Sequence, residues 1–188
     1  TLQTSSADNM KSKTILDKKN FELTISRLCY ELIENHGDFL NTALVGIQPR
    51  GVPFAGRIVA QLQRILGKKD LVLGNIDVTF SRDDFRRRET PLLPKSTKMD
   101  FIVENKKVVL IDDVLFTGRT VRAALDEILA YGRPAEVELL VLIDRRFSRH
   151  LPIEPNYVGS TIDTIETEKV KVEWEEIEGQ DRVLVHKK

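Results

Sequence analysis

The chain has 188 residues, of which 41% are hydrophobic and 31% are charged, values typical of a single globular domain. Its 29 basic and 29 acidic side chains give a formal net charge of zero. This balance argues against binding nucleic acid mainly through bulk charge, although it allows a local basic face. The single cysteine, Cys29, excludes an internal disulfide, and a buried position on a helix is predicted for it.

The beginning of the chain is polar, and we expect residues 1–14 to form a disordered leader before one domain at residues 15–188. No apolar run approaches the ~18–20 residues that a membrane span requires. A cytoplasmic protein without a membrane partner is therefore predicted.

Helical and strand patterns alternate after the leader. Apolar residues recur at spacings of three and four from Phe21 to Ile33, which predicts a helix ending near His36. From residue 81 to residue 105 the periodicity fades, and a loop of this length is typical of a mobile active-site lid. The other predicted elements are strands at 43–47, 71–80, 106–111 and 137–143, and helices at 52–67 and 119–131.

This order predicts an α/β fold, with a mostly parallel, twisted sheet flanked by helices. The tail has a different pattern, because apolar and charged residues alternate at 169–174 and again at 182–186. These segments predict antiparallel strands, and we expect residues 145–188 to form a small cap.

The stretch "VVLIDDVLFTGRT", residues 108–120, carries the chemistry. Asp112 and Asp113, the acid pair, follow a buried strand, and ligands of open α/β sheets bind outside the carboxyl ends of the strands. Residues 117–120, the phosphate turn, begin the next helix, where backbone N–H groups and hydroxyls can bind an anion. Carboxylates cannot favour a phosphate, so the acid pair should bind hydroxyls or a metal held by them. A phosphate site beside hydroxyl-binding acids indicates a phosphorylated sugar.

Other sites with a similar appearance fit less well. The segment "GVPFAGRI" from Gly51 lacks the Lys and hydroxyl of a Walker-type loop, and no Gly-x-Gly-x-x-Gly is present. A phospho-acceptor receiver domain also ends a strand in acids, but here the pair comes late in the chain and precedes a phosphate turn. A purely structural strand end also stays open.

The stretch resembles the phosphoribosyl pyrophosphate (PRPP) signature of type I phosphoribosyltransferases. Together with "LVGIQPRG", "DVTFSRDD", "LPIEPNYVG" and "EKVKV", it is most similar to the PyrR family, whose members regulate pyrimidine operons and act as uracil phosphoribosyltransferases. The resemblance implies the type I phosphoribosyltransferase fold with its cap. It also implies that uracil and PRPP, carried with Mg²⁺ and without direct protein ligands to the metal, give UMP and pyrophosphate.

The resemblance also implies roles for individual residues. The acid pair would bind the ribose hydroxyls, Arg50 would bind the leaving pyrophosphate, and Arg82 would reach it when the lid closes. The base would be read by Arg145, Tyr157, Val158 and Gly159. The turn around the pyrophosphate comprises Pro49, Arg50 and Gly51, and the stretch around the 5-phosphate continues from the acid pair through Val114, Leu115, Phe116, Thr117, Gly118, Arg119 and Thr120.

Phe116 bears on the choice of base. Purine-specific relatives place an Asp immediately before the Thr-Gly of the phosphate turn, where it contacts the purine ring. The apolar residue here therefore favours a pyrimidine.

RNA binding is a second implied activity. Relatives bind messenger RNA leaders through a basic face, to which Arg27, Tyr30 and Arg146 would belong here. Tyr30 also has the interpretation of a half-buried helix residue, which the sequence slightly favours. The resemblance also implies a homodimer or a larger homo-oligomer. Two alternatives stay open: a nucleotide-sensing RNA-binding protein with little or no enzyme activity, and a phosphoribosyltransferase for another base.

Overall fold

The computed structural model describes residues 11–79 and 97–187. In chain order its elements are β1 Ser12–Leu16, α1 Lys18–His36, β2 Thr42–Ile47, α2 Gly51–Leu66, β3 Val72–Ile76, β4 Lys107–Leu115, α3 Arg119–Ile128, a 3-10 turn Leu129–Tyr131, β5 Glu136–Arg146, β6 Tyr157–Asp163, β7 Lys169–Glu173, α4 Glu175–Glu178 and β8 Arg182–His186. The predicted alternation of strands and helices is confirmed.

A parallel sheet with strand order β3-β2-β4-β5-β6 forms the centre of the molecule. Successive side chains of β4 point to opposite faces. Val109 and Ile111 pack in a core with α1 and α2, whereas Val108 and Leu110 pack in a second core with α3. Both faces are thus covered by helices, which explains why β2 and residues 108–111 of β4 are almost entirely apolar.

Local signals define the ends of the first two helices. The Asp17 side chain accepts a hydrogen bond of 2.9 Å from the Asn20 amide and so caps α1. Gly67 ends α2 with a φ of +64°, a conformation that glycine adopts without strain. Cys29 lies inside α1 as predicted, and burial raises the pKa of its thiol to about 12.

A second, antiparallel sheet of order β1-β8-β7, together with α4, forms the predicted cap, which we call the hood. The Trp174 indole, which follows β7, packs edge-on against Phe21 at 5.1 Å and is stacked on Phe54 at 5.7 Å between ring centroids. Arg57 of α2 donates to the Glu176 and Asp181 carboxylates of the hood at 2.6 to 3.2 Å. The hood therefore shares a hydrophobic core with α1 and α2.

Three predicted boundaries need correction. The leader does not extend to residue 14, because Ser12–Leu16 pairs with β8. The cap does not begin at residue 145, because β5 continues to Arg146 and all of β6 belongs to the main sheet. β3 ends at Ile76 rather than at residue 80. A strand can join either sheet, and only its pairing partners decide which.

The predicted lid falls mostly on residues 80–96, which lie outside the described residues. At its far end, Lys98 forms an isolated antiparallel bridge with Asn75 of β3. No helix within residues 11–79 or 97–187 is long and apolar enough to cross a membrane.

Candidate active site

The acid pair lies in the last part of β4, the middle strand of the main sheet. Asp112 and Asp113 are each 8% exposed. The Asp113 amide donates to the Asp112 carboxylate at 2.9 Å, and the Val114 amide donates to the Asp113 carboxylate at 2.7 Å. Burial raises the pKa of the Asp113 carboxyl, and the nearby Arg50 guanidinium opposes that shift. The strand thus holds two carboxylates in set orientations with limited access to water.

The predicted pyrophosphate turn, residues 49–51, lies beside the acid pair at the start of α2. A Cβ atom on Gly51 would collide with the Ile111 carbonyl oxygen, so this position requires glycine for the close approach of α2 to β4. The Gln48–Pro49 peptide is cis. The Arg50 Nε lies 3.6 Å from an Asp113 carboxylate oxygen.

Arg50 also contacts the hood. One terminal nitrogen of its guanidinium donates to the Glu178 carboxylate at 3.0 Å, and the other donates to the Val172 carbonyl. Glu178 in turn accepts a hydrogen bond of 2.7 Å from the Trp174 amide. Arg50 therefore links the acid pair to β7 and α4.

The phosphate turn connects β4 to α3. Gly118 precedes α3 with a φ of +92°, and a Cβ atom there would lie 3.0 Å from the Ile153 side chain. The backbone carbonyls of Phe116 and Thr117 point toward residues 149–151. Arg149 donates to the Phe116 carbonyl at 2.7 Å, while the His150 and Leu151 amides donate to the Thr117 carbonyl at 3.0 and 3.2 Å.

Phe116 and Arg145 join the phosphate turn to the loop between β6 and β7. The Arg145 guanidinium carbon lies 3.9 Å from the centroid of the Phe116 ring. The same guanidinium donates to the Thr164 hydroxyl at 2.8 Å and to the Ile165 and Glu168 carbonyls at 3.0 and 3.1 Å. Arg145 is 5% exposed, so its charge is satisfied by these groups and by the aromatic face.

The comparisons with known proteins agree with this geometry. A family model described as the phosphoribosyl transferase domain matches residues 11–177. Proteins named "Bifunctional protein PyrR" from Microcystis aeruginosa and Clostridioides difficile are 46% and 44% identical to the chain over 169 and 171 residues. The matches cover 90% and 91% of this chain and 94% and 96% of the relatives. The chain belongs to the PyrR family.

Solved structures support the fold of this PyrR-family chain. A hypoxanthine phosphoribosyltransferase from Staphylococcus aureus has a TM-score of 0.68 and 19% identity, over 100% of this chain and 98% of that one. The hypoxanthine phosphoribosyltransferase from Trypanosoma cruzi in complex with the product IMP has a TM-score of 0.71 and 14% identity, over 97% and 94%. At these identities the likeness establishes the fold alone.

The predicted base contacts at residues 157–159 do not join the acid pair in this PyrR-family structure. The Tyr157 hydroxyl donates to Glu138 at 2.9 Å and contacts His36, in a polar cluster at the end of α1. The Val158 and Gly159 carbonyls accept hydrogen bonds from Arg27 at 3.2 and 2.5 Å. Arg27 of α1 thus already bonds both of these carbonyls, and a base contact at residues 157–159 stays a prediction. The loop at residues 164–168, by contrast, is linked through Arg145 to Phe116, the residue before the phosphate turn.

The lid arginine and the residues predicted to bind RNA remain to be placed in the structure. Arg82 lies outside the described residues. Arg27 forms an ion pair of 2.7 Å with Glu31, and Arg146 forms one of 2.8 Å with Asp163. Tyr30 lies on α1 and is 57% exposed. Within the part of the chain that the structure describes, no group of three or more His, Cys, Asp or Glu side chains could hold a metal ion.

Sequence reasoning missed Glu178 and Arg149. Both contact predicted site residues across long separations, 128 positions to Arg50 and 33 to Phe116. Glu178 lies among other acids in the tail, and no local pattern distinguishes it. For Arg149, the signal available was its position in "RFSRHLPI", the segment between β5 and the "LPIEPNYVG" motif.

Proposed function

We propose that this PyrR-family chain transfers the phosphoribosyl group from PRPP to uracil, giving UMP and pyrophosphate. The observation that carries the proposal is the acid pair on β4, placed between the phosphate turn and Arg50, 3.6 Å from Asp113. This arrangement provides acceptors for sugar hydroxyls between two sites for phosphate groups.

The sugar phosphate is bound without lysine in this proposal. The phosphate turn supplies backbone N–H groups, the hydroxyls of Thr117 and Thr120, and the positive end of α3. The acid pair accepts hydrogen bonds from the ribose hydroxyls. Because positive charge develops on the ribose ring in an oxocarbenium-like transition state, nearby carboxylates also favour that state.

Pyrophosphate is held by Arg50 and the start of α2. Mg²⁺ carried by PRPP, without direct protein ligands, would supply charge neutralisation at the leaving pyrophosphate. The guanidinium of Arg50 lies beside the acid pair, and it also contacts the Glu178 carboxylate and the Val172 carbonyl of the hood. Arg82 is proposed as a second ligand, brought in by the lid, which would also exclude water from the reacting carbon.

The base is proposed to lie against the loop at residues 164–168. Arg145 acts through this loop, since its guanidinium is bound to the loop and stacked on Phe116. Phe116 offers no carboxylate to a purine ring, which favours uracil. In the reaction the bond from the anomeric carbon to pyrophosphate breaks, a bond to N1 of uracil forms, and the N1 proton is released.

A panel of bases tests the proposal. The purified chain is incubated with PRPP, Mg²⁺ and either uracil, orotate or hypoxanthine, and nucleotides are separated by chromatography. We expect UMP from uracil and little product from the others. IMP as the main product would mean that the base is wrong, and the absence of any nucleotide at high enzyme concentration would overturn the enzyme activity.

RNA binding that depends on UMP is a second proposed function, favoured by the exposure of Tyr30 beside Arg27 on α1. Exposed aromatic rings next to arginines are typical of surfaces that stack unpaired RNA bases. Binding to a pyrimidine-operon leader should strengthen with UMP and weaken in Tyr30→Ala, measured at stated salt. A UMP-independent affinity, or one unchanged in Tyr30→Ala, would reject this role. We also propose that the chain is cytoplasmic and that it forms a homodimer or a larger assembly. Light scattering measures the mass of that assembly.

A further inference from the structure

We propose that Arg149, held by Asp144, is a positioning residue for the 5-phosphate of the sugar: it orients the backbone of the phosphate turn so that its N–H groups face the ligand. The inference rests on the proposed phosphoribosyl transfer. It assigns a role to a residue that would not itself touch the substrate.

Arg149 connects β5 to the residue before the phosphate turn. One of its terminal nitrogens lies 2.6 Å from the Asp144 carboxylate, and the other donates to the Phe116 carbonyl at 2.7 Å. The two side chains are only 22% and 12% exposed, so water competes weakly for these bonds. Asp144 lies near the end of the buried part of β5, directly beside Leu115 of β4. A rigid strand therefore sets the position of the guanidinium.

Two more donors follow Arg149 in the chain. The His150 and Leu151 amides donate to the Thr117 carbonyl at 3.0 and 3.2 Å. A segment of three residues thus holds two successive carbonyls, those of Phe116 and Thr117. This arrangement leaves little freedom for the peptide planes on either side of Thr117.

The orientation of the N–H groups follows from peptide geometry. In a trans peptide the C=O and the following N–H point in opposite directions, and Gln48–Pro49 is the cis peptide of the described chain. Because the Phe116 and Thr117 carbonyls point toward segment 149–151, the Thr117 and Gly118 N–H groups point away from it. That side is where a phosphate would approach the start of α3.

The charge of Arg149 adds to this effect. A cation bound to a carbonyl polarises the peptide and makes its N–H a stronger donor, since hydrogen bonds in a chain reinforce one another. Asp144 balances the charge, so Arg149 contributes little net attraction for anions at a distance. Its effect should therefore be specific to the ligand that the phosphate turn binds.

Inhibition by two product-like ligands tests this directly. The inhibition constants of ribose 5-phosphate and of pyrophosphate against PRPP are measured for the wild type and for Arg149→Gln. We expect a rise of about tenfold in the constant for ribose 5-phosphate and in KM for PRPP, the effect of weakening one or two hydrogen bonds to a charged group. The pyrophosphate constant and kcat should stay within about twofold, because the interaction lost is made equally in the ground and transition states.

Arg122→Gln is the matched control, because Arg122 belongs to an exposed Arg–Asp pair of 3.4 Å one turn into α3. All constants should be unchanged in it. Arg149→Lys, which can reach one acceptor at a time, should give an intermediate value for ribose 5-phosphate. If Arg149→Gln does not fold, Asp144→Asn takes its place, with an expected rise of about threefold for ribose 5-phosphate as the guanidinium loses its anchor.

An unchanged ribose 5-phosphate constant, or an equal loss for both ligands, would overturn the positioning role. A wild-type chain that is inhibited by neither ligand would instead overturn the proposed phosphoribosyl transfer, and this inference with it. The two failures are therefore distinguishable.

Discussion

At the scale of single residues, the acid pair combines binding with a cost in stability. Burial raises the pKa of Asp113 above the ~3.9 of an unfolded chain. When a carboxyl has a higher pKa in the folded state than in the unfolded state, the free energy of unfolding of the protein falls as the pH rises from the unfolded pKa through the folded pKa. Burial of the Asp113 carboxyl therefore costs the protein without substrate more stability as the pH rises.

Asp113→Asn should separate these effects. We expect a melting temperature at pH 7 equal to or above that of the wild type, since the charge is removed while an acceptor for the Val114 amide stays. This difference should shrink in acid, where the wild-type carboxyl is protonated. kcat/KM for PRPP should fall by at least about a hundredfold. A large loss of thermal stability would contradict this account; Asp126→Asn, an exposed change on α3, serves as the control.

Glu178 illustrates how a neighbour can compete with a substrate. Its carboxylate holds Arg50 at 3.0 Å, so pyrophosphate must share or displace that contact. Glu178→Gln keeps an acceptor for the Trp174 amide but removes the charge. We expect KM for PRPP to fall by about twofold to fivefold, since partly exposed ion pairs contribute ~0.2–1 kcal/mol. A higher KM would mean that Glu178 positions Arg50 instead of competing for it.

At the scale of elements, the approach of α2 to β4 decides the position of the pyrophosphate turn. Gly51→Ala places a Cβ against the Ile111 carbonyl, beside the acid pair, and α2 must move. We expect a loss of ~1–3 kcal/mol in the free energy of unfolding, the usual cost of overpacking, together with weaker PRPP binding.

Gly56→Ala in the same helix is the matched control. A Cβ atom there meets nothing within 4 Å. Alanine should therefore stabilise the chain by ~0.5–1 kcal/mol, because glycine inside a helix costs conformational entropy. Urea unfolding of both variants measures the contrast, and equal effects of the two changes would reject the close-approach argument.

At the scale of the whole molecule, the hood and the main sheet share one hydrophobic core. The proposed site draws on both, since Arg50 contacts Asp113 of the sheet and Val172 and Glu178 of the hood. A ligand that binds only this folded arrangement stabilises all of it. We therefore expect one cooperative unfolding transition whose midpoint depends on PRPP.

The size of the shift in the unfolding midpoint depends on the ratio of the PRPP concentration to its Kd. PRPP with Mg²⁺ at 100 times its Kd should add ~2.7 kcal/mol to the free energy of unfolding. For a chain of this size that corresponds to ~5–10 °C in the melting temperature. Asp113→Asn should reduce the shift at the same PRPP concentration. Two separate transitions, or a shift unaffected by this substitution, would show that the hood and the sheet do not form one ligand-binding unit.

The α/β class, the parallel strands and the acid pair with its phosphate turn could all be predicted from the amino-acid sequence. These features depend on neighbours in the chain: the two-residue and 3.6-residue periods of apolar side chains, and thirteen consecutive residues that combine a strand, two acids and a helix start. Pro49, Arg50 and Gly51 were recognised for the same reason. Local signals of this kind can be recognised without knowing which distant residues are in contact.

Tertiary structure alone decided which peptide groups stay available to a ligand. Val158 and Gly159, two of the predicted base contacts, accept hydrogen bonds at their carbonyls from Arg27, more than 130 positions away. β6 joined the main sheet and β1 the hood through pairing that their own composition does not specify. Arg149 acquired its proposed role through a carbonyl 33 residues distant. Hydrogen bonds between remote segments form only once the chain has folded, so no local pattern encodes which partners they join.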